Sequence, residues 1–122
     1  MLKRIKKPTI IDSVGTKPKK IEEFIGRVNT GTERISIARM TSTKGWEEPG
    51  QIPEFEEYTV ILKGEMKVET EKEVLSIKEG EAVIAEKGKW VRYSTPKTDT
   101  QYIAICLPAF SPDSVHRDNE SN

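Results

Sequence analysis

Short stretches in which apolar and polar residues alternate cover much of the chain and predict β-strands. Residues 34–40 have this period-two pattern, which is typical of a strand with one buried face. Similar segments, rich in β-branched and aromatic residues, are residues 58–62, 66–70, 74–77, 82–85, 90–94 and 101–107. Since three residues separate the first two of these segments, we expect that pair to form a hairpin. Strands spaced about 8–12 residues apart, with no convincing amphipathic helix, predict an all-β sandwich or barrel.

The breaks between these segments divide the chain into three parts. Residues 1–32 contain several prolines and glycines and predict an N-terminal arm with edge strands. The barrel is expected to span residues 33–107. Residues 108–122 predict a short polar C-terminal tail, and its apolar beginning leads us to expect that it is partly docked on the barrel.

Length and charge narrow the class of protein. The chain has 122 residues, of which 34% are hydrophobic and 33% charged, and this suits one folded domain. Lys and Arg together number 20, as do Asp and Glu, and a net charge of zero argues against a nucleic-acid partner. The apolar runs fall well short of the roughly 18 residues of a membrane span.

The cysteine content and the first residues bear on location. Cys106 is the single cysteine, which excludes a disulfide framework and a cysteine-based zinc site and favours packing within an apolar strand. The first eight residues lack the apolar region of a signal peptide, so we expect a cytoplasmic protein. High numbers of Glu (16) and Lys (14), with few amides, form a pattern reported for heat-adapted proteins.

Charge is distributed unevenly along the chain. Residues 1–20 hold six Lys and one Arg against one Asp, whereas residues 47–57 hold five Glu and no basic residue. Two interpretations remain open. In the first, both segments are solvated surface. In the second, the basic arm lies against an acidic surface in the same chain or in a partner subunit.

Five residues in the middle of the chain have the spacing of a known motif. Gly45 is followed by Gln51, Pro53, Glu57 and Gly64 at fixed offsets. This spacing resembles the first motif of the cupin family, in which a glycine, two histidines, a glutamate and a glycine follow one another. Gln51 and Pro53 stand at the two histidine positions.

A second group of positions resembles the second cupin motif. Gly80, Glu86, Gly88, Val91 and Thr95 fall at its offsets, with Val91 at the histidine position. The resemblance covers the predicted barrel and is to the small single-domain cupins of the RmlC-like type. It implies a double-stranded β-helix, also called a jelly-roll barrel, and a homodimer in which the N-terminal arm often pairs with the partner subunit.

The resemblance also implies a metal site that this chain has largely lost. In cupins, three histidines and one glutamate bind a divalent metal inside the barrel, and here Glu57 alone remains. Pro53 and Val91 carry no donor group, and Gln51 is a poor ligand for Zn, Fe, Ni or Cu. We therefore expect no cofactor. A divalent metal is the alternative, and it would draw on Gln51, Glu57 and His116.

Strand alternation predicts what stands near the former metal position. If Glu57 points into the barrel, so does Thr59, and if Val91 points inward, so does Tyr93. An apolar pocket with a carboxylate, an amide and a phenol suits a small polar ligand. The predicted ligand-binding residues are Trp46, Gln51, Glu57, Thr59, Val91 and Tyr93.

Three side chains are candidate catalytic groups: Glu57, Tyr93 and His116. Burial would raise the pKa of Glu57 and allow it to act as a general acid or base. The alternative is a structural carboxylate satisfied by backbone N–H groups or by Arg39. His116, the single histidine, is either a proton shuttle near the barrel mouth or a surface residue of the tail.

Three functions remain open at this point. The first is a small-molecule-binding cupin with a degenerate metal site and residual acid–base chemistry. The second is a metal-dependent isomerase, lyase or dioxygenase with ligands from Gln51, Glu54, Glu57 and His116. The third is a non-catalytic dimeric module with a filled barrel. Whether the protein is an enzyme stays undecided, and the expected partners are a small molecule and a second copy of the chain, not nucleic acid or a membrane.

Overall fold

The computed structural model describes residues 1–118, which form β-strands and one short 3-10 turn at Pro112–Ser114. The strands are β1 (Thr9–Ile11), β2 (Lys19–Ile25), β3 (Ser36–Ser42), β4 (Trp46–Glu47), β5 (Glu56–Lys63), β6 (Glu65–Thr70), β7 (Val74–Lys78), β8 (Ala82–Ala85), β9 (Val91–Thr95) and β10 (Thr100–Leu107). The all-β class predicted from the alternation is confirmed. Within these residues, no helix has the length and apolar character needed to cross a membrane.

The strands form two antiparallel sheets. One sheet has the order β1-β2-β3-β10-β5-β8 and the other the order β4-β9-β6-β7. Side chains from both sheets meet in one hydrophobic core, made of Trp46, Ile61, Met66, Val68, Ile77, Val91, Tyr93, Tyr102 and Ala104. The core therefore fills part of the space between the sheets with close-packed side chains.

Burial along β5 follows the predicted alternation. Thr59 and Ile61 are buried, whereas Val60 and Leu62 are exposed on the opposite face. On β9, Val91 is buried as well. The inward-facing sides predicted for these two strands are therefore confirmed.

The hairpin predicted for β5 and β6 is wrong, because these strands lie in different sheets. Gly64 between them has a φ of 92°, which glycine adopts readily, and a Cβ there would lie 2.6 Å from the carbonyl oxygen of Asp99. The Glu65 N–H donates to Thr100 Oγ1 at 3.2 Å. The chain thus crosses at Gly64 into the four-stranded sheet, where β6 pairs with β7 and β9.

The N-terminal arm and the C-terminal tail both pack on the barrel. β2 lies between β1 and β3, so the arm contributes an internal strand as well as an edge strand. In the tail, the Ala109 N–H donates to the Glu33 carbonyl at 3.0 Å, and the Phe110 ring packs edge-on against Phe55 with centroids 6.0 Å apart. The predicted tail continues over residues 119–122, which lie outside the described residues.

Candidate functional site

A cavity of about 80 Å³ lies against the inner face of the six-stranded sheet, between the arm and the tail. Its apolar wall includes Ile11, Ile21, Met40, Phe55, Ala104 and Phe110. One water molecule needs about 10–15 Å³ of such space, so the cavity has room for several waters or for a small organic molecule.

Six charged side chains line this cavity, and three of them, Lys19, Glu48 and Glu57, come from distant parts of the chain. Lys19 opens β2, where alternation places Ile21 and Glu23 on the same inner face. Glu57 stands near the start of β5, opposite Cys106 of β10. Glu48 follows β4, and its N–H donates to the Tyr93 carbonyl at 3.4 Å. Strand pairing thus brings one ammonium and two carboxylates to a single small space.

The Lys19 ammonium lies against aromatic rings instead of a carboxylate. Its Nζ is 3.9 Å from the centroid of the Trp46 ring and 5.4 Å from that of Tyr102. Among residues 1–118, no carboxylate lies within the salt-bridge distance of 4.0 Å from it. Burial favours the neutral amine, but Tyr102 and the carboxylates of Glu48 and Glu57 outweigh this effect and raise the pKa of Lys19. Lys19 is therefore a cation at neutral pH.

Two of the carboxylates that line the cavity, Glu48 and Glu57, resist ionisation. Burial, followed by the negative charge of Glu48, raises the pKa of Glu57 to about 7, and Lys19 opposes the rise. Burial also raises the pKa of Glu48, against the attraction of Lys19 and Arg117. Within the described part of the chain, neither carboxylate has a hydrogen-bond partner. Glu57 therefore exchanges a proton near neutral pH, as a general acid or base must.

The structure divides the predicted ligand-binding residues into two groups. Gln51 and Glu57 line the cavity. The remaining four are buried deeper and are not among the residues that line it: Trp46, Thr59, Val91 and Tyr93. The reason is that Trp46, Val91 and Tyr93 belong to the four-stranded sheet and pack in the closed core, while Thr59 is buried on β5 of the six-stranded sheet.

Two of those deeper side chains end in hydroxyl groups without partners. Thr59 Oγ1 and the Tyr93 hydroxyl are buried and accept or donate no hydrogen bond within residues 1–118. Burial, followed by the charge of Glu57, raises the pKa of Tyr93 well above its usual value, so it remains a neutral phenol. Thr59 pairs across the sheet with Ala104, which lines the cavity. Unsatisfied hydroxyls thus lie beside the site, where burial makes them costly.

His116 lies away from the cavity. It is exposed at the surface, where its Nε2 contacts the carboxylate of Glu54. Its place in the backbone explains this, because the tail pairs with the loop before β5: the Ile52 N–H donates to the His116 carbonyl at 3.0 Å. In this conformation His116 does not line the cavity that contains Glu57, so the structure does not support the catalytic and metal-binding roles considered for it.

The side chains at the cupin ligand positions do not fit a transition metal. Gln51 and Val91 exchange two backbone hydrogen bonds of 2.9 Å, so these positions do come together beside the cavity. Val91 and Pro53 nevertheless have no donor atom, and an amide with a carboxylate is not the nitrogen or sulfur donor set that Zn, Fe or Cu favours. The structure also places the positive charge of Lys19 at this cavity. In residues 1–118, no three His, Cys, Asp or Glu side chains are grouped to hold an ion.

Sequence reasoning did not single out Lys19, Glu48 or Arg117, although all three line the cavity. The available signal was the contrast between the basic segment 1–20 and the acidic segment 47–57. Lys19 belongs to the first segment, and Glu48 and Glu57 to the second. One residue of the basic segment, Lys19, thus lines the same cavity as two residues of the acidic segment, without an ion pair between them.

Fold and site together define an all-β protein with the cupin, or jelly-roll, fold and a cavity inside the barrel. No protein-family profile matches the chain. It is 40% identical over 102 residues to endoribonuclease YbeY of Myxococcus xanthus, covering 80% of this chain and 34% of that protein. The chain thus spans about a third of the length of this curated relative.

Solved structures similar to this chain include several enzymes. The polyketide cyclase RemF from Streptomyces resistomycificus has a TM-score of 0.77 at 18% identity, over 100% of this chain and 89% of its own. Oxalate decarboxylase from Bacillus subtilis has a TM-score of 0.77 at 14% identity, over 93% of this chain and 31% of its own. A putative ethanolamine utilization protein from Salmonella typhimurium has a TM-score of 0.64 at 20% identity, over 75% and 71%. These similarities show the fold.

Proposed function

We propose that this protein is a cupin that binds a small molecule without a transition metal and that has acid–base chemistry at Glu57. The observation that carries the proposal is that the Lys19 ammonium and the carboxylates of Glu48 and Glu57, which have no hydrogen-bond partner within residues 1–118, line one cavity. Charged groups withdrawn from water are unfavourable until polar partners surround them. A ligand with hydrogen-bonding groups would supply those partners, and the apolar wall would bury its carbon skeleton.

Binding to this cavity can be tested with a library of small polar molecules of up to about eight non-hydrogen atoms, a size chosen from the cavity volume. We expect selected compounds to shift the backbone amide resonances of β2, β5 and the loop at Glu48. The substitutions Glu57→Gln and Lys19→Met should weaken binding at least tenfold, because each removes one charged contact. The exposed residues Glu71 and Lys20 provide matched controls, Glu71→Gln and Lys20→Met, which should bind as the wild type does.

Two outcomes would contradict the proposal. One is that no compound in the library perturbs these resonances. The other is that the purified protein contains Fe, Mn, Ni or Zn at one ion per chain, measured by inductively coupled plasma mass spectrometry. Stoichiometric metal would instead support the second function considered from the sequence, a metal-dependent isomerase, lyase or dioxygenase.

The endoribonuclease named in the comparison does not enter this proposal. The chain corresponds to 34% of that protein. The cavity of about 80 Å³ suits a ligand of a few atoms better than a nucleotide. The balanced charge of the sequence also provides no extended basic field for RNA.

A homodimer formed through the outer face of the six-stranded sheet is a further part of the proposal. Val60 of β5 is 38% exposed and Ile84 of β8 is 64% exposed, and both lie on this outer face. Ile103 of β10 pairs directly with Val60 and extends the apolar surface. Contiguous exposed apolar surface of this kind is typical of a protein–protein interface.

We expect light scattering to show a particle of twice the 13.8 kDa chain mass for the wild type. The double substitution Val60→Lys and Ile84→Lys should yield the monomer, because it places four charges in the interface of a symmetric dimer. The matched control is Val74→Lys, a position 59% exposed on the other sheet, which should leave the dimer intact. A monomeric wild type, or a dimer that survives the double substitution, would contradict this arrangement.

A further inference from the structure

We propose that residues 114–118 form a strap that closes the cavity at its Glu57 end and opens as a unit while the barrel stays folded. The role of the strap is to admit and release the ligand, and that role rests on the proposed function. The opening itself is a movement of the tail and can be measured without a ligand.

The strap lies antiparallel beside residues 50–54, with which it forms a short two-stranded ribbon. Three backbone hydrogen bonds join the ribbon: the Glu54 N–H donates to the Ser114 carbonyl at 2.8 Å, the Ile52 N–H to the His116 carbonyl at 3.0 Å and the Asp118 N–H to the Gly50 carbonyl at 2.8 Å. All three bonds lie along one edge of the strap, and neither segment belongs to a strand of the two sheets. The ribbon can therefore separate without breaking a hydrogen bond of either sheet.

Strand register shows which end of the cavity lies at the strap. Cys106 of β10 pairs with Glu57 on one side and with Ser36 on the other, and all three residues line the cavity. Lys19 is level with Thr100, six residues before Cys106 in β10, because both pair with the same residue of β3. The cavity thus has a Glu57 end and a Lys19 end, at different levels of the same sheet.

Side chains of the strap cover the Glu57 end. Val115 is 1% exposed and belongs to the apolar cluster that contains Cys106. Arg117 lines the cavity and pairs with Gln51, which lines it as well. Displacement of the strap therefore uncovers Cys106 and opens a passage to Glu57, its neighbour in the sheet.

The tail contains a hinge before the strap and a strained residue within it. Phe110 is fixed to the barrel, because its N–H donates to Ser36 Oγ at 2.9 Å, and the 3-10 turn at Pro112–Ser114 follows. His116 has a φ of 49°, a left-handed conformation that residues other than glycine adopt at a cost. The turn is the hinge of the movement, and release of the ribbon relieves the strain at His116.

Trp90 clamps the strap at Asp118. Its Nε1 donates to Asp118 Oδ2 at 2.9 Å, and its ring lies so close to Gly50 that a Cβ there would be 2.3 Å from Cζ2. Neither Trp90 nor Gly50 is among the residues that line the cavity. The substitution Gly50→Ala therefore displaces the clamping ring without changing the cavity wall, and Trp90→Phe removes the hydrogen bond while keeping an aromatic ring.

The single cysteine reports on the opening. Alkylation requires an accessible thiolate, and burial raises the pKa of the Cys106 thiol while the strap is closed. The full chain is treated with iodoacetamide in native buffer, and labelling is followed by mass spectrometry. Gly50→Ala should raise the labelling rate roughly tenfold, the scale of a steric overlap, and Trp90→Phe about threefold, the scale of one hydrogen bond.

Amide hydrogen exchange tests whether the strap opens as a unit. We expect the N–H groups of Ile52, Glu54 and Asp118 to exchange together and faster than those of β10, because they open without unfolding of the barrel. Gly50→Ala and Trp90→Phe should accelerate these three amides by the same factors as the labelling. Exchange of the three amides at the rate of global unfolding would overturn the strap.

Two control variants separate this route to Cys106 from the others. Ile77→Val weakens the core on β7 of the other sheet, and labelling that accelerates there would show that Cys106 is reached by global unfolding. Val14→Ala trims the Lys19 end, because the Val14 carbonyl accepts a hydrogen bond from the Trp46 ring on which Lys19 lies. Both variants should label at the wild-type rate.

The outcomes distinguish this inference from the proposed function. Labelling that accelerates in Val14→Ala, or that stays at the wild-type rate in both Gly50→Ala and Trp90→Phe, would overturn the strap as the route to the cavity. A strap that opens as expected while no compound of the library binds would support this inference and contradict the proposed function alone.

Discussion

Replacing Glu57 by Gln is expected to stabilise the folded protein by about 3 kcal/mol near pH 8, and by less than about 1 kcal/mol near pH 5. In the fold, burial and the charge of Glu48 raise the pKa of Glu57 from 4.5 to about 7. The folded state therefore holds the proton more tightly than the unfolded state does. Stability from this group is present below pH 4.5 and is lost as the pH rises through 7. Glutamine keeps the size of the protonated acid and does not ionise.

Urea denaturation of the wild type and Glu57→Gln at the two pH values measures this effect. The wild type should lose stability between pH 5 and pH 8 relative to the variant. Glu71→Gln is the matched control, because Glu71 is exposed in the turn between β6 and β7, and it should show no such difference. An equal effect of Glu57→Gln at both pH values would mean that Glu57 is ionised normally and has no special proton affinity.

Replacing Phe55 by Ala is expected to destabilise the fold by about 3–5 kcal/mol and to loosen the tail. Phe55 is 1% exposed and packs in a small apolar cluster with Cys106, Val115 and Phe110. Loss of the ring leaves a cavity and removes the contacts that Phe55 makes with Val115 and Phe110 of the tail. Arg117, which lines the cavity beside Glu57, belongs to this docked tail.

Urea denaturation gives the stability change, and hydrogen exchange gives the local effect. The Asp118 N–H, which donates to the Gly50 carbonyl at 2.8 Å, should exchange faster in Phe55→Ala by more than the global destabilisation explains. Val74→Ala, at a position 59% exposed, should cost no more than about 0.5 kcal/mol. Unchanged protection of Asp118 in a destabilised Phe55→Ala protein would show that the tail is held independently of this cluster.

Local patterns were sufficient for the strands and for the direction of their side chains. The period of two follows from the pleat of a single strand, so Thr59 and Ile61 were assigned inward without knowledge of their neighbours. The link at Gly64 shows the limit of such reasoning. A tight hairpin and a crossing between sheets use similar residues, and the carbonyl of Asp99 and the hydroxyl of Thr100 direct the chain across.

The residues of the candidate site were likewise predicted only where the local sequence carried the information. Glu57 was identified because its spacing resembles a family motif and its strand has a predictable inner face. The sequence did not identify Lys19, because nothing near it indicates that β2 pairs with β3. That pairing is what directs the Lys19 side chain toward Trp46. His116 was given a possible catalytic role because it is the single histidine, but the tail's pairing with the loop before β5 leaves it at the surface.

The sequence by itself determined the all-β class, the inner faces of the central strands and the absence of imidazole at Gln51, Pro53 and Val91. These properties depend on residue type and on the repeat of one strand, which are local. The tertiary structure alone decided that the barrel is part cavity and part closed core, and that Lys19, Glu48 and Glu57 share that cavity. These residues come together only because strands far apart in the chain pair with one another. The pairing excludes water from Glu57 and brings the charges of Glu48 and Lys19 close to it, and these effects set the pKa of Glu57.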